Sequence, residues 1–456
     1  MINLSLQNLA EVLGKSTNNL PDARFCGVTI DSRNSCEAKL FVAIKGVNFD
    51  GHNFVDMAYQ NGATVALVEQ RQQSEITQIE VADCKQAMAQ LANYWRRYCD
   101  PCVIALTGSN GKTTVKEMLF QILLRQSLSL ATRGNLNNDI GVPLTLFELE
   151  PKHEFAIIEM GANHRGEIAQ LATIAEPDIV YVNNVAAAHL AGFGDVRGVM
   201  EAKGELYAYC TDAQRALFNA DEVASQYWQG LCVAQTQLSC SLNKEADVTA
   251  TWSAVDEILR VEFNYQGQSH GCELGVIGEH NVRNAVAAVS LAILAGVDFA
   301  VAVTNLGGFS GVKGRLQILP GPANSRLIDD SYNANPDSLE AGIKVLCSLP
   351  GSPWLALGDM AELGADEVAL HRQAARTAAE YGVEKLFGIG EMSCIASAEF
   401  GAAGYCYEGI EEMANSILSQ LHQGVNLLVK GSRAAGMERL VAILLQPTNG
   451  GDVNAV

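Results

Sequence analysis

The chain reads as an α/β protein of three domains: a small α/β amino-terminal unit, a central P-loop ATPase-type domain on a mostly parallel sheet, and a carboxyl-terminal Rossmann-like domain. Three observations carry that expectation. The 456 residues suit about three domains at roughly 150 residues each. Short apolar runs alternate with helix-patterned stretches along most of the chain, as parallel strand-helix-strand units require. The run Val103-Ile-Ala-Leu-Thr-Gly-Ser-Asn-Gly-Lys-Thr-Thr114 joins a buried strand to a helix through a Gly-rich turn.

In residues 1–82 the runs Phe41-Val-Ala-Ile44 and Thr64-Val-Ala-Leu-Val68 predict strands between Gly and Asp turns. A helix over Asp83 to Arg97 then leads into the P-loop strand, so the first boundary falls near 82. Residues 83–312 form the central domain, with strands at Phe155-Ala-Ile-Ile158, Ile179-Val-Tyr-Val182 and Ala216-Leu-Phe218. Residues 247–277 instead alternate apolar and polar side chains, as in Leu259-Arg-Val-Glu-Phe263, which predicts an antiparallel extension. The helix Asn281 to Ala295 closes this domain, and Gly307-Gly-Phe-Ser-Gly311 is the expected hinge. In residues 313–456 strands are predicted at Leu327-Ile328, Trp354-Leu-Ala-Leu357, Lys385-Leu-Phe-Gly-Ile389 and Asn426-Leu-Leu-Val429. The dinucleotide fingerprint G-x-G-x-x-G is missing from this part, and the tail Pro447 to Val456 is expected to fray.

Composition excludes several functions. Lys plus Arg number 31 against 51 Asp plus Glu, a formal charge of −20. So acidic a surface repels nucleic acid and anionic membranes, and a phosphate ligand must be met by local positive charge in a pocket. No run approaches the about 18 apolar residues a membrane span needs, and the start has no basic region before an apolar core, so a cytoplasmic protein is expected. The twelve cysteines are scattered apart from Cys99-Asp-Pro-Cys102, which lacks a second pair or a nearby His cluster. Reduced thiols are expected throughout.

The P-loop departs from G-x-x-x-x-G-K-[ST] by one residue: Leu106 stands where the first glycine belongs, and the glycine has moved to Gly108. The physics survives the shift. Backbone N–H groups at the helix start cradle phosphates, Lys112 reaches the outer phosphate oxygens and Thr113 holds Mg²⁺. Glu159, at the carboxyl end of a neighbouring apolar strand, is placed to ligate the same ion. In Thr132 to Pro143 the amides of Asn135, Asn137 and Asn138 suit recognition of an anionic substrate without adding repulsion.

The spacing Ala188-His-Leu190 followed by Glu201-Ala-Lys-Gly-Glu-Leu-Tyr207 adds to the P-loop, the Thr132 to Pro143 segment and Glu159-Met-Gly-Ala162. Further on stand Gly278-Glu-His-Asn-Val-Arg-Asn284, Asp329-Asp-Ser-Tyr-Asn-Ala-Asn-Pro-Asp337, Gly358-Asp-Met-Ala-Glu-Leu-Gly364 and Lys430-Gly-Ser-Arg433. With these motifs the chain resembles the Mur ligases over essentially its whole length. It is most similar to the members that join D-Ala-D-Ala to UDP-N-acetylmuramoyl-tripeptide.

The resemblance implies an ATP-dependent amide ligase that works through an acyl phosphate in the last cytoplasmic step of peptidoglycan precursor synthesis. It implies an ATP site of Thr107, Gly108, Ser109, Asn110, Gly111, Lys112, Thr113 and Thr114, with His280, Asn281 and Asn284 at the adenine and Arg315 and Asp330 reaching across from the third domain. Thr113 and Glu159 would bind one Mg²⁺, and His189 with a carbamylated Lys203 a second; Lys112, Glu159, His189 and Lys203 would be the catalytic set. UDP would meet Ser32, Arg33, Lys45, Asp50 and Gly51, with Asn135, Asn137 and Asn138. Asp359, Glu362 and Lys430 to Arg433 are candidates for the acceptor dipeptide, and a monomer is expected. Ala191 departs from the pattern, standing where members often carry Glu. The diaminopimelate-adding relative typically carries D-N-P-R, whereas here Asn335-Pro-Asp337 is not followed by Arg. A folylpolyglutamate synthase would lack the first 80 or so residues, and a nucleotide switch has little use for an acceptor domain.

Overall fold

In a computed structural model, residues 1–46, 48–187, 190–209, 215–255 and 257–446 are described. Three main sheets follow one another along the chain. Residues 28–80 build a parallel sheet of four strands, in the order 28–29, 40–42, 65–68 and 77–80. A separate antiparallel pair, Asn3–Ser5 with Arg24–Cys26, precedes it.

The central sheet has nine strands. Seven run parallel, in the spatial order 129–131, 155–159, 102–107, 179–182, 215–219, 236–241 and 248–255. The last of these then pairs antiparallel with 258–265, and that strand with 268–274, as the alternating pattern of 247–277 predicts. The central strand Cys102–Thr107 is buried along nearly its whole length, which is why it reads as an uninterrupted apolar run. The helix behind it begins at Lys112, three residues earlier than the apolar spacing indicates, because the end of the P-loop already forms the first helical turn.

The third sheet has six strands in the order 317–320, 326–330, 425–430, 352–358, 385–389 and 404–407, all parallel except the first. The two outermost strands were not legible in the sequence. Both are short edge strands with little buried apolar surface to mark them.

Two features differ from the sequence-based expectation. The amino-terminal unit buries one side against the central region, where Ile2, Leu6, Leu9 and Phe25 belong to one continuous apolar cluster with Trp95, Leu146 and Ile158, while Phe41, Val55, Ala66 and Val68 form a second cluster of its own. The Ile2 N–H donates to Phe147 O at 2.7 Å, and the Trp95 indole to Leu149 O at 3.1 Å. Burying each Leu, Ile or Phe there contributes about 1.5–3 kcal/mol. Second, the cysteines are not all thiols. The helix Glu391–Phe400 folds back beside the edge strand Gly404–Tyr407, which brings Cys394 and Cys406 to a Cα separation of 4.9 Å, and they form a disulfide. Twelve residues of separation hide that pairing in the sequence. Cys99 and Cys102 remain free. No helix among the described residues is long and apolar enough to cross a membrane; the tail 447–456 lies outside those residues.

Candidate functional site

The strand register builds the site. Leu106 is paired with Glu159 on one side of the P-loop strand, and Thr107 with Val182 on the other. The P-loop, Glu159 and the Asn183-Asn184 turn therefore meet at the carboxyl edge of the sheet, where open α/β sheets place ligands. Gly111 takes φ +77°, and a Cβ there would stand 2.5 Å from both Asn183 Nδ2 and Asn284 Oδ1. Only glycine fits.

Asparagine amides hold the loop. The Asn184 side chain accepts from the Asn110 N–H at 2.8 Å and donates to Asn110 O at 3.0 Å, and Asn183 Nδ2 donates to the same carbonyl at 2.8 Å. Asn183 is aimed by the Tyr181 hydroxyl, which donates to its Oδ1 at 2.8 Å. Lys112 donates to the loop carbonyls of Gly108 and Ser109 at 2.6 and 3.2 Å. Its ammonium is pushed down by burial, opposed by Glu159 and reinforced by Arg315.

Thr113 Oγ1 donates to Glu159 Oε2 at 3.0 Å, and Asn137 Nδ2 donates to Glu159 Oε1 at 2.9 Å. Glu159 is only 2% exposed. A buried carboxylate beside a hydroxyl at a phosphate-binding loop is a hard-oxygen pair that suits Mg²⁺, which takes one or two protein oxygens and fills its octahedron with water and phosphate. Lys203 projects from the helix Val196–Tyr209 and is 2% exposed. Among the described residues it has no carboxylate partner. Burial, then the charge of Lys112, drives its amine well below the ordinary lysine range. His189 lies outside the described residues.

The third domain completes a cleft of about 750 Å³. Of the thirteen residues expected at ATP, Ser109 to Thr114, His280, Asn281, Asn284, Arg315 and Asp330 line it, while Thr107 and Gly108 are not among the lining residues. Burial, then the charge of Lys430, pushes the His280 imidazole down to about 4, so it faces the cleft neutral. Asn281 Nδ2 donates to Ile277 O at 2.8 Å. Gly314, at φ +73°, turns the chain so that Arg315 comes within 3.4 Å of Thr113 Oγ1 and 4.1 Å of the Tyr332 ring centroid. Asp330 accepts from the Leu316 N–H at 3.2 Å and forms a buried ion pair with Lys430. Burial raises the carboxyl and lowers the ammonium, each opposed by the partner's charge.

Several lining residues carried no recognisable signal. Asn183, Asn184, Asn219 and Glu222 sit in ordinary connecting segments, and only the sheet register brings them to the loop. Asn335 caps the helix Pro336–Ser348, accepting from the Ser338 N–H at 2.9 Å, while its amide donates to Asn110 Oδ1 at 2.8 Å. A P-loop side chain is thus held directly by the third domain. Asn335→Ser keeps an acceptor for the cap but is too short to reach Asn110. Its KM for ATP is expected to rise about 2–10-fold, the worth of one neutral hydrogen bond, with Tm unchanged; initial rates and a melting curve check it.

None of the residues expected at UDP lines the cleft expected to hold ATP. Arg33 makes a bidentate pair with Asp31 at 2.9 and 2.8 Å, which lowers the Asp31 carboxyl to about 2. Ser32 is buried against Met57, and the backbones of Lys45 and Asp50 form an isolated antiparallel β-bridge. A Cβ at Gly51 would stand 2.7 Å from Ile44 N. Asn135 is exposed, whereas Asn137 is engaged by Glu159 and Asn138 Oδ1 accepts from the Gly141 N–H at 2.8 Å, starting the next helix. The asparagine-rich segment therefore divides into an exposed amide, a partner of Glu159 and a side chain that accepts from the backbone N–H groups of Ile140 and Gly141.

Comparison with known proteins agrees with this geometry. The family model described as Mur ligase middle domain matches residues 106–292. That described as Mur ligase, glutamate ligase domain, matches 314–433, and Mur ligase family, catalytic domain, matches 24–96. The UDP-N-acetylmuramoyl-tripeptide--D-alanyl-D-alanine ligase of Escherichia coli (strain K12) is 38% identical over 448 residues, covering 97% of this chain and 99% of its own. The ligase of the same name from Haemophilus influenzae is 36% identical, with 97% and 98% covered. Among solved structures, MurF from Acinetobacter baumannii superposes with a TM-score of 0.90 at 35% identity, over 97% of this chain and 99% of that one. The MurF ligase of Thermotoga maritima in complex with ADP gives 0.82 at 25% identity, over 92% and 96%.

Proposed function

The chain belongs to the Mur ligase family, and from that membership we propose that it joins D-Ala-D-Ala to UDP-N-acetylmuramoyl-tripeptide at the expense of ATP. It is an amide-bond-forming ligase of peptidoglycan precursor synthesis. The observation that carries the reading is the single cleft in which P-loop residues and Glu159's hydroxyl partner Thr113 face Arg315, Asp330 and Asn335 of the third domain. Such a cleft lets one nucleotide and one acceptor meet.

The tripeptide's terminal carboxylate attacks the γ-phosphorus of ATP, an acyl phosphate forms and ADP leaves. The acceptor amine then attacks the acyl carbon, and the tetrahedral intermediate expels phosphate. The P-loop amides and Lys112 hold the phosphates, and Arg315 approaches from the opposite wall, so catalysis is positioning and charge stabilisation with no nucleophilic side chain. Thr113 and Glu159 would hold one Mg²⁺, and His189 with Lys203 a second; the ions would supply charge neutralisation on the phosphoryl oxygens. The buried Lys203 amine, pushed toward its neutral form by burial and by Lys112, is suited to take up CO₂, and the resulting carbamate is an anionic oxygen ligand. Ser32, Arg33, Lys45, Asp50, Gly51 and Asn135 are proposed to meet the UDP part, with Asn137 and Asn138 acting more through Glu159 and the neighbouring helix. The three-part division at 82 and 312, action as a monomer and a cytoplasmic location belong to the same proposal.

The test is phosphate release from ATP with the UDP-tripeptide, with and without D-Ala-D-Ala. Release that needs both substrates is expected. Release indifferent to D-Ala-D-Ala, or equally supported by a free single amino acid, refutes the assignment.

A further inference from the structure

Among the described residues, five cationic side chains line the cleft: Lys112, Arg283, Arg315, Lys430 and Arg433. Four are engaged by buried groups or by the cleft walls. Lys112 binds its own loop carbonyls, Arg283 pairs with Asp221 and Glu279, Arg315 touches Thr113 and Tyr332, and Lys430 pairs with Asp330 and donates to Asn333 O at 3.0 Å. Arg433 differs. Its ion pair is to Glu438 at 3.0 Å, with the two side chains 62% and 40% exposed. An exposed pair of that kind is worth at most about 1 kcal/mol, so a ligand carboxylate can replace it at little cost.

Position gives that weakly held fork a task. The Tyr332 ring is shared by two guanidinium groups: the Arg315 Cζ lies 4.1 Å from its centroid and the Arg433 Cζ 5.7 Å. Arg315 also reaches Thr113 in the P-loop, and so marks the end of the cleft where the acyl phosphate forms. Arg433 stands one aromatic ring further along. A dipeptide spans roughly 6 Å from its amine to its carboxyl carbon, one Cα–Cα step plus a bond at each end. An acceptor whose amine attacks beside Arg315 therefore brings its carboxylate into the neighbourhood of Arg433. An arginine fork matches a carboxylate bidentately, which a point charge does not.

We propose that Arg433 receives the free carboxylate of the acceptor dipeptide and makes the enzyme select an acceptor with an unblocked carboxyl end. The proposal rests on the reading that the acceptor is D-Ala-D-Ala. The probes are D-Ala-D-Ala and its carboxyl-terminal amide, compared by phosphate release in the wild type, Arg433→Ala, Arg433→Lys and Glu438→Gln. In the wild type the dipeptide is expected to be preferred in kcat/KM by about 10–100-fold, the range for a charge-assisted hydrogen bond. Arg433→Ala raises KM for the dipeptide by a similar factor, leaves KM for ATP unchanged and accepts both probes equally; Arg433→Lys recovers part of the preference. Glu438→Gln removes the surface ion pair and keeps the full preference. A wild type indifferent to D-Ala-D-Ala overturns the ligase reading and this inference together. A wild type that uses D-Ala-D-Ala, beside an Arg433→Ala variant that keeps the preference for it over the amide, overturns only the Arg433 assignment. So does Glu438→Gln losing the preference, because Arg433 would then act through the helix Glu438–Leu444.

Discussion

Lys203→Ala is expected to abolish turnover, lowering kcat at least about a thousandfold, or some 4 kcal/mol of activation free energy. The amine is 2% exposed and lacks a carboxylate partner among the described residues. Neither burial nor the nearby Lys112 favours its charged form. A fold does not retain such a group for stability, since replacing a buried ionisable side chain with an apolar one of similar volume is often neutral or stabilising. Lys203→Met should therefore keep or raise Tm while losing activity. Bicarbonate cannot rescue Lys203→Ala, which has no amine to carbamylate, whereas a short carboxylic acid occupying the vacated space is expected to restore part of the rate. Steady-state rates with and without the acid, and a melting curve, check both halves. Full activity in Lys203→Ala would rule out the carbamate.

The second large effect is expected from Glu159→Gln. The substitution keeps size and shape, and the new side-chain oxygen still accepts from Asn137 Nδ2, so Tm should change little. What it removes is the negative charge beside Thr113. The enzyme should need far more Mg²⁺ for half-maximal activity and lose kcat/KM for ATP by at least about a hundredfold, the scale on which removing one preorganised electrostatic contact acts. A Mg²⁺ titration of the rate decides it: an unchanged half-saturation point means Glu159 does not ligate the ion.

Much of the fold was legible residue by residue. The buried strands at 103–106, 155–158, 179–182 and 426–429 read as apolar runs because both faces are covered. The extension at 247–277 alternates because it pairs antiparallel with one face in solvent. Edge strands such as Gln317–Pro320 and Gly404–Tyr407 bury too little to leave a pattern. The site divides along a similar line. Lys112, Thr113 and Glu159 could be read locally, since a phosphate loop needs glycine, backbone amides and a lysine in consecutive positions. Asn183, Asn184 and Asn335 could not, because their contacts with Asn110 span 73, 74 and 225 residues.

By itself the sequence determined the loop chemistry, the acidic surface that confines phosphate to a pocket and, through its motifs, the family. Each depends on neighbouring residues or on composition. Only the tertiary structure decided that the amino-terminal residues share the central core, that Asn137 serves Glu159, that Cys394 meets Cys406, and that Arg433 keeps a cation at the edge of the cleft. Those outcomes follow from strand register and from the packing of distant segments, which sum weak contacts over hundreds of residues and leave no mark at any single position.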